Sequence, residues 1–218
     1  MNSNFDLIIF DWDGTLSDST NLITDLILEI FKEKGVEPPV RDEISAIIGL
    51  DLHHAFVRLS PSSSSADINK LKECYINKFR NKSNKVNLFE GVEFGIKELY
   101  RQGYQLAVAT GGSRRGLEED LSGSSIKPFF KTTKTVDECF SKPNPQMILE
   151  ITNELMIDPK KTLMVGDSVF DLQMAINAKV SSLAVTYGSQ TKKKLEGLGS
   201  LGYVNNSYGM FDWIRRYG

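Results

Sequence analysis

Asp11-Trp12-Asp13-Gly14-Thr15 sets two carboxylates two residues apart, immediately before a glycine. An aspartate attacks phosphorus when a metal and a cation hold the phosphate in line, and a second carboxylate nearby protonates the departing alkoxide. Gly14 lets the chain turn at once, so both acids reach one pocket. On its own, the same stretch also makes an ordinary acidic turn that caps the next segment. Three other features bear on the choice. Thr110 is followed by Gly111-Gly112, a hydroxyl beside bare backbone amides of the sort that face an anion. Lys142 precedes Pro143 and Pro145, with Pro143 expected at the first position of a helix and Lys142 extended. Gly166-Asp167-Ser168 is followed by Asp171, one carboxylate at a turn and another about one helical turn along. Hard divalent cations such as magnesium take carboxylate and carbonyl oxygens, which Asp11, the carbonyl of Asp13 and Asp167 supply. Singly, each is weak, because glycine turns are common and a lone Lys-Pro is usually a solvated helix start.

The elements that must position these residues alternate. Phe5 to Phe10 reads as a short buried strand, so Asp11 stands at its C-terminal end. From Ser19, Leu22, Ile23, Leu26, Ile27, Ile30 and Phe31 recur at helical spacing behind a Ser/Thr cap, with Gly35 as the stop. Helices are expected over Asp42 to Ile48 and Leu52 to Leu59, then a serine-rich linker, then a helix carrying Ile68, Leu71, Cys74, Tyr75 and Phe79. No strand pattern falls between Thr20 and Arg80. After the polar stretch Asn81 to Asn87, helices (Val92 to Arg101, Ser113 to Leu121, one after Pro143, Val169 to Ala178) alternate with strands (Tyr104 to Ala109, near Lys131 to Val136, Thr162 to Val165, Ser182 to Val185). This alternation implies an α/β fold, a Rossmann-like parallel sheet core covered on both faces, with an inserted helical cap domain. The expected division is 1–16 and 88–218 for the core and 17–87 for the cap, joined by polar connections that act as hinges. Ligands of open parallel sheets bind outside the carboxyl ends of the strands, where all four features fall.

Taken in order, the four motifs resemble the haloacid dehalogenase-like hydrolases over nearly the whole chain, in the subfamily with a helical cap after the first motif, and look most like its phosphoglycolate-phosphatase-type members. The resemblance implies that Asp11 is the nucleophile and Asp13 the general acid, later the base that activates water. It implies that Thr110 and Gly111 bind the phosphoryl group, that Lys142 neutralises charge on Asp11 and the phosphate, and that Asp171 orients the water shell of a magnesium ion held by Asp11, Asp13 and Asp167. The resulting activity is hydrolysis of small phosphate monoesters, phosphoglycolate among them, through an aspartyl-phosphate. A phosphomutase of the same fold is the enzymatic alternative, and a phospho-ligand-binding module without catalysis is a more distant one. A dehalogenase has no use for an acid at Asp13. Where relatives often carry lysine after the Thr-Gly of the second motif, this chain has Gly112, which questions a cationic substrate contact there. Arg114 and Arg115 read as exposed helix residues. In the cap, Gly49 is the expected point of close approach to substrate. His53 and His54 point to different sides of a helix, so at most one faces the cleft.

Bulk properties narrow the partners. The 218 residues are 40% hydrophobic with a formal net charge of -2, enough for a sizeable core and no broad cationic field for nucleic-acid polymers or anionic membranes. No apolar run is long enough to span a bilayer, and Leu7 to Phe10 is too short for a signal sequence. Cys74 and Cys139 lack metal-ligand spacing and read as reduced thiols, which favours the cytoplasm. A small phosphorylated metabolite is the expected partner, with a monomer or weak dimer as the expected assembly.

Overall fold

The computed structural model describes residues 4–82 and 87–218. Six parallel strands, β1 (Leu7–Phe10), β2 (Gln105–Ala109), β3 (Phe130–Lys134), β4 (Thr162–Gly166), β5 (Ser181–Val185) and β6 (Tyr203–Val204), form one sheet in the order β3-β2-β1-β4-β5-β6. The near-continuous apolar runs of β1 and β4 follow from burial on both faces. Ile8, Phe10, Leu106, Val108, Leu163 and Val165 point into one core layer, and Leu7, Ile9, Ala107, Ala109 and Met164 into the other. Helices α5 (Val92–Arg101), α6 (Arg114–Ser122) and α10 (Ser207–Tyr217) supply Val92, Ile96, Leu117, Phe211 and Ile214 to the first layer; α7 (Gln146–Leu155) and α8 (Val169–Ala178) supply Met147, Ile151 and Met174 to the second. Strand order reverses about β1, since β2 lies on one side of it and β4 on the other. A crevice therefore opens at the C-terminal ends of these strands.

Between β1 and α5 the described chain is helical: α1 (Thr20–Glu33), α2 (Arg41–Ser45), α3 (Leu52–Leu59) and α4 (Ser65–Lys82). These helices have a core of their own, built from Ile23, Leu26, Ile27, Ile30, Phe31, Ile44, Phe56, Ile68, Leu71 and Tyr75. Full burial of each such aliphatic or aromatic side chain stabilises by about 1.5–3 kcal/mol as an upper estimate. Phe31 stacks on Phe56 at 6.2 Å and Phe56 meets Tyr75 edge-on at 6.1 Å, which ties α1, α3 and α4 together. The chain segments leading in and out run side by side: the Asp18 amide donates to the Asn87 carbonyl at 2.7 Å and the Phe89 amide to the Leu16 carbonyl at 3.0 Å. Residues 83–86 of the polar stretch lie outside the described residues.

Several boundaries differ from the sequence expectation for local reasons. Ser19 precedes α1 but makes no capping hydrogen bond, because its hydroxyl turns to Asp13 instead. The helix expected over Asp42 to Ile48 is helical only for Arg41–Ser45 and then continues as turns into Gly49. Helix α7 starts at Gln146 after Pro145, so Pro143 stands in the preceding loop and not at the first helical position. Beyond Val185 the periodicity is too short to read: β6 has two residues and α9 (Lys192–Leu195) four.

Candidate active site

Asp11 follows β1, Thr110 follows β2 and Asp167 follows β4, so the register of three neighbouring strands brings them to one crevice. Asp11 is 1% exposed, and its amide donates to the Val165 carbonyl at 2.9 Å, which fixes the backbone at the point where the strand ends. Lys142, equally buried, donates from Nζ to Asp11 Oδ1 at 2.5 Å and to Asp171 Oδ1 at 2.6 Å. Asp171 Oδ2 accepts from the Ser168 hydroxyl at 2.6 Å and the Ser168 amide at 3.1 Å, a reciprocal cap that starts α8 and consumes the second oxygen of Asp171. Asp167 accepts from the Ser189 amide at 2.5 Å and the Thr15 hydroxyl at 3.3 Å. Thr110 Oγ1 accepts from the Gly112 amide at 3.0 Å, leaving the hydroxyl hydrogen free to donate. The amides of Trp12, Asp13 and Gly111 have no acceptor among the described residues. Asp11 Oδ2 is buried without a hydrogen-bond partner.

Three carboxylates around one lysine leave this pocket short of positive charge. Burial, and then the neighbouring Asp171, pushes Asp11 well above the usual carboxylate range despite Lys142. Burial and Asp171 likewise raise Asp167 to about 6. Burial disfavours the charge on Lys142, but Asp11 and Asp171 outweigh it and hold the ammonium protonated. Asp13 is raised by burial, against a 2.6 Å hydrogen bond donated by Ser19. One oxygen each from Asp11, Asp167 and Asp171 lie within 4.8 Å of one another. An all-oxygen donor set, an unpartnered Asp11 oxygen and surplus negative charge fit a hard divalent cation. Because both oxygens of Asp171 are committed to Lys142 and Ser168, Asp11 and Asp167 are the better ligands of the three.

The sequence profile of the haloacid dehalogenase-like hydrolases matches residues 8–185, which span all four motifs. The chain belongs to this family. Pyrophosphatase PpaX of Bacillus mycoides (strain KBAB4) is 28% identical over 192 residues, covering 87% of each chain. Among solved structures, a predicted phosphoglycolate phosphatase from Haemophilus somnus 129pt superposes with a TM-score of 0.86 at 22% identity, covering 99% of both chains. A predicted phosphatase from Clostridium acetobutylicum gives 0.86 at 22% identity, covering 98% of this chain and all of the other. These likenesses show the Rossmann-like α/β fold with its six-stranded parallel sheet and flanking helices.

Beside the crevice lies a chamber of 710 Å³, between α1, α3, α4 and α6. Gly49 and Gly111 bring the inserted helices close against the strand ends: a Cβ on Gly111 would clash with the Gly49 carbonyl oxygen, and one on Gly49 would come within 2.9 Å of Ser168 Oγ. Gly49 also has φ +100°, a conformation glycine adopts without strain. Both His53 and His54 border the chamber and both are exposed; Asp51 caps α3 through their amides and takes His54 Nδ1 at 2.5 Å. Arg115 is exposed, as expected, pairs with Glu119 and borders the chamber, whereas Arg114 is half-buried, held by Glu138 and by the Thr133 hydroxyl and carbonyl of β3. Cys139 is buried with its thiol on Glu150. Trp12 is buried in the first core layer, and its indole N–H donates to Asp120 Oδ2 at 2.9 Å. Sequence reasoning missed Asp120, Tyr75, Ser189 and the use of Ser19. Only Ser19 carried a signal, its position six residues after Asp13 at the mouth of α1.

Proposed function

We propose that the chain is a magnesium-dependent phosphatase of small phosphate monoesters that works through an aspartyl-phosphate. The observation that carries this reading is the state of Asp11: one oxygen is held by Lys142 at 2.5 Å and the other is buried and unpartnered at the mouth of the crevice. Asp11 Oδ2 attacks phosphorus and the bond from phosphorus to the alkoxide oxygen breaks. Asp13, its acidity weakened by burial, gives the proton to the leaving oxygen. Asp13 then takes a proton from water as that water attacks the same phosphorus, the phosphorus bond to Asp11 breaks, and phosphate leaves. Thr110, the amides of Trp12, Asp13 and Gly111, and the third hydrogen of Lys142 donate to the phosphoryl oxygens where charge accumulates. Asp11, the Asp13 carbonyl and Asp167 would hold magnesium, with Asp171 fixing Lys142 and the start of α8. Bound there, the ion supplies positive charge against the carboxylates and the phosphate. In this reading 17–87 is a lid that excludes water and phosphoproteins, 1–16 and 88–218 are the catalytic core, and the substrate is a small cytoplasmic metabolite.

The test is Asp11→Asn. Turnover of p-nitrophenyl phosphate with magnesium should fall to background while circular dichroism remains that of the wild type. Phosphate released at the wild-type rate ends the proposal.

A further inference from the structure

A transferred phosphoryl group occupies a small part of the 710 Å³ chamber, whose size is that of a site for a drug-sized organic ligand. Much of its wall is apolar, with Ile23, Ile27, Ile47, Ile48, Ile76 and Phe79 facing in. Next to the proposed acid Asp13, the polar groups are Asp120 and Tyr75, which line the chamber from α6 and α4. Asp120 spends Oδ2 on the Trp12 indole, while Oδ1 meets no donor and no ion-pair partner among the described residues. Burial first, and then Asp13 and Asp120, weakens the acidity of the Tyr75 hydroxyl and leaves it a hydrogen-bond donor. Lys72, Arg80 and Arg115 also border the chamber, yet none comes within 4.0 Å of a carboxylate oxygen of Asp13 or Asp120, and Arg115 is already paired with Glu119 at 2.8 Å. Gly112 leaves no cation beside Thr110. An anionic group bonded close to the leaving oxygen would thus face the Asp120 carboxylate beside the acid Asp13, with no cation paired to either.

We propose that the chamber selects phosphate monoesters of bulky, largely apolar alcohols that present a hydrogen-bond donor, hydroxyl or ammonium, to Asp120, and that it discriminates against small substrates with a second anionic group beside the leaving oxygen, such as pyrophosphate and phosphoglycolate. This rests on the phosphatase reading above and narrows its substrate class, away from the substrates named for the relatives. Pyridoxine 5′-phosphate and pyridoxamine 5′-phosphate are matched probes, one with a hydroxymethyl and one with an aminomethyl arm. At pH 8 with magnesium, kcat/KM for both should exceed that for pyrophosphate and phosphoglycolate by at least about tenfold. Asp120→Asn keeps an acceptor for Trp12 and should narrow that gap by about fivefold or more, with the larger change on the aminomethyl ester if ammonium is the preferred donor. Lys72→Met should leave the ranking as it is. Pyrophosphate or phosphoglycolate turned over as well as the pyridine esters, or a ranking that follows Lys72 and not Asp120, overturns the proposal. In Asp11→Asn, tryptophan fluorescence titrations should give dissociation constants in the same order. If wild-type protein hydrolyses none of the esters, the phosphatase reading fails, while the order of those constants still decides the chamber's preference.

Discussion

Replacing Lys142 by methionine removes the cation that faces Asp11 and Asp171 and leaves a side chain of similar length. Nζ sits at 2.5 Å and 2.6 Å from the two carboxylates with all three groups at most 1% exposed. Deleting one member of such a buried set leaves charge without a partner, which costs about 3–5 kcal/mol. Unfolding entropy of ~2 cal/mol/K per residue gives roughly 0.5 kcal/mol/K for a chain of this size, so Tm should fall by about 6–10 °C at pH 8 in EDTA. The pH dependence has a defined sign. A lysine whose pKa is raised in the folded state keeps its full contribution everywhere below its ordinary value of 10.5, so between pH 5 and 8 the ammonium itself is constant. What titrates is the carboxylate side: Asp11 is already raised, and without Lys142 it rises further. A raised acid penalises the fold only when ionised, so the deficit should shrink as pH falls and Asp11 takes up its proton. Differential scanning fluorimetry of both proteins from pH 5 to 8 measures this. Turnover should drop by about 10³-fold, since a buried cation aimed at the phosphate is lost. A Tm change under about 2 °C, a deficit that does not vary with pH, or turnover within tenfold of wild type would refute the charge accounting.

The other predictions test other parts of the site. Asp13→Asn should lower turnover of an alkyl phosphate by about 10²–10⁴-fold but that of p-nitrophenyl phosphate far less, because an acidic phenol leaves without a proton; equal losses in steady-state assays contradict the acid role. Asp120 is raised from 3.8 to about 7, by burial first and Asp13 second, so its contribution to stability is full below 3.8 and lost as pH climbs through about 7. That displacement corresponds to ~4 kcal/mol, which solvent access to a half-buried group reduces to about 2 kcal/mol. Asp120→Asn in EDTA should accordingly flatten the decline of Tm between pH 4 and 7.5. Gly111→Ala drives a methyl group into the Gly49 carbonyl and should cut kcat/KM for bulky esters at least tenfold, with a stability loss limited to about 1–3 kcal/mol by urea titration.

The parts of the site legible in the sequence are those fixed by local pattern. Apolar runs ending at Phe10, Ala109 and Val165 placed Asp11, Thr110 and Asp167 at strand ends, and an alternating chain leaves parallel pairing as the arrangement that brings such ends together. Lys142 was different: its residues alone read as a solvated helix start, and its place between Asp11 and Asp171 depends on how the loop before α7 folds back to the C-terminal ends of the strands. Asp120 and Tyr75 were illegible because a helical pattern tells which side of α6 or α4 is apolar but not what that side meets after docking. Ser189 contributes a backbone amide, for which any residue type would serve.

The same accounting explains why the crevice is costly in the absence of a ligand. A fold selected for stability alone gains nothing from Asp11, Asp167 and Asp171 around a single lysine, since apolar residues of similar volume are commonly as stable or more so. Under the proposed function the surplus of negative charge is offset when a cation and a phosphoryl group enter together, one supplying charge to the carboxylates and the other accepting hydrogen bonds from Lys142, Thr110 and the free amides. Asp120 extends that logic into the chamber: with its outer oxygen unpartnered, it is an acid awaiting a donor, placed where a second phosphate would be repelled. In the proposed reading, charge at the strand ends serves the chemistry, and charge on α6 the choice of alcohol.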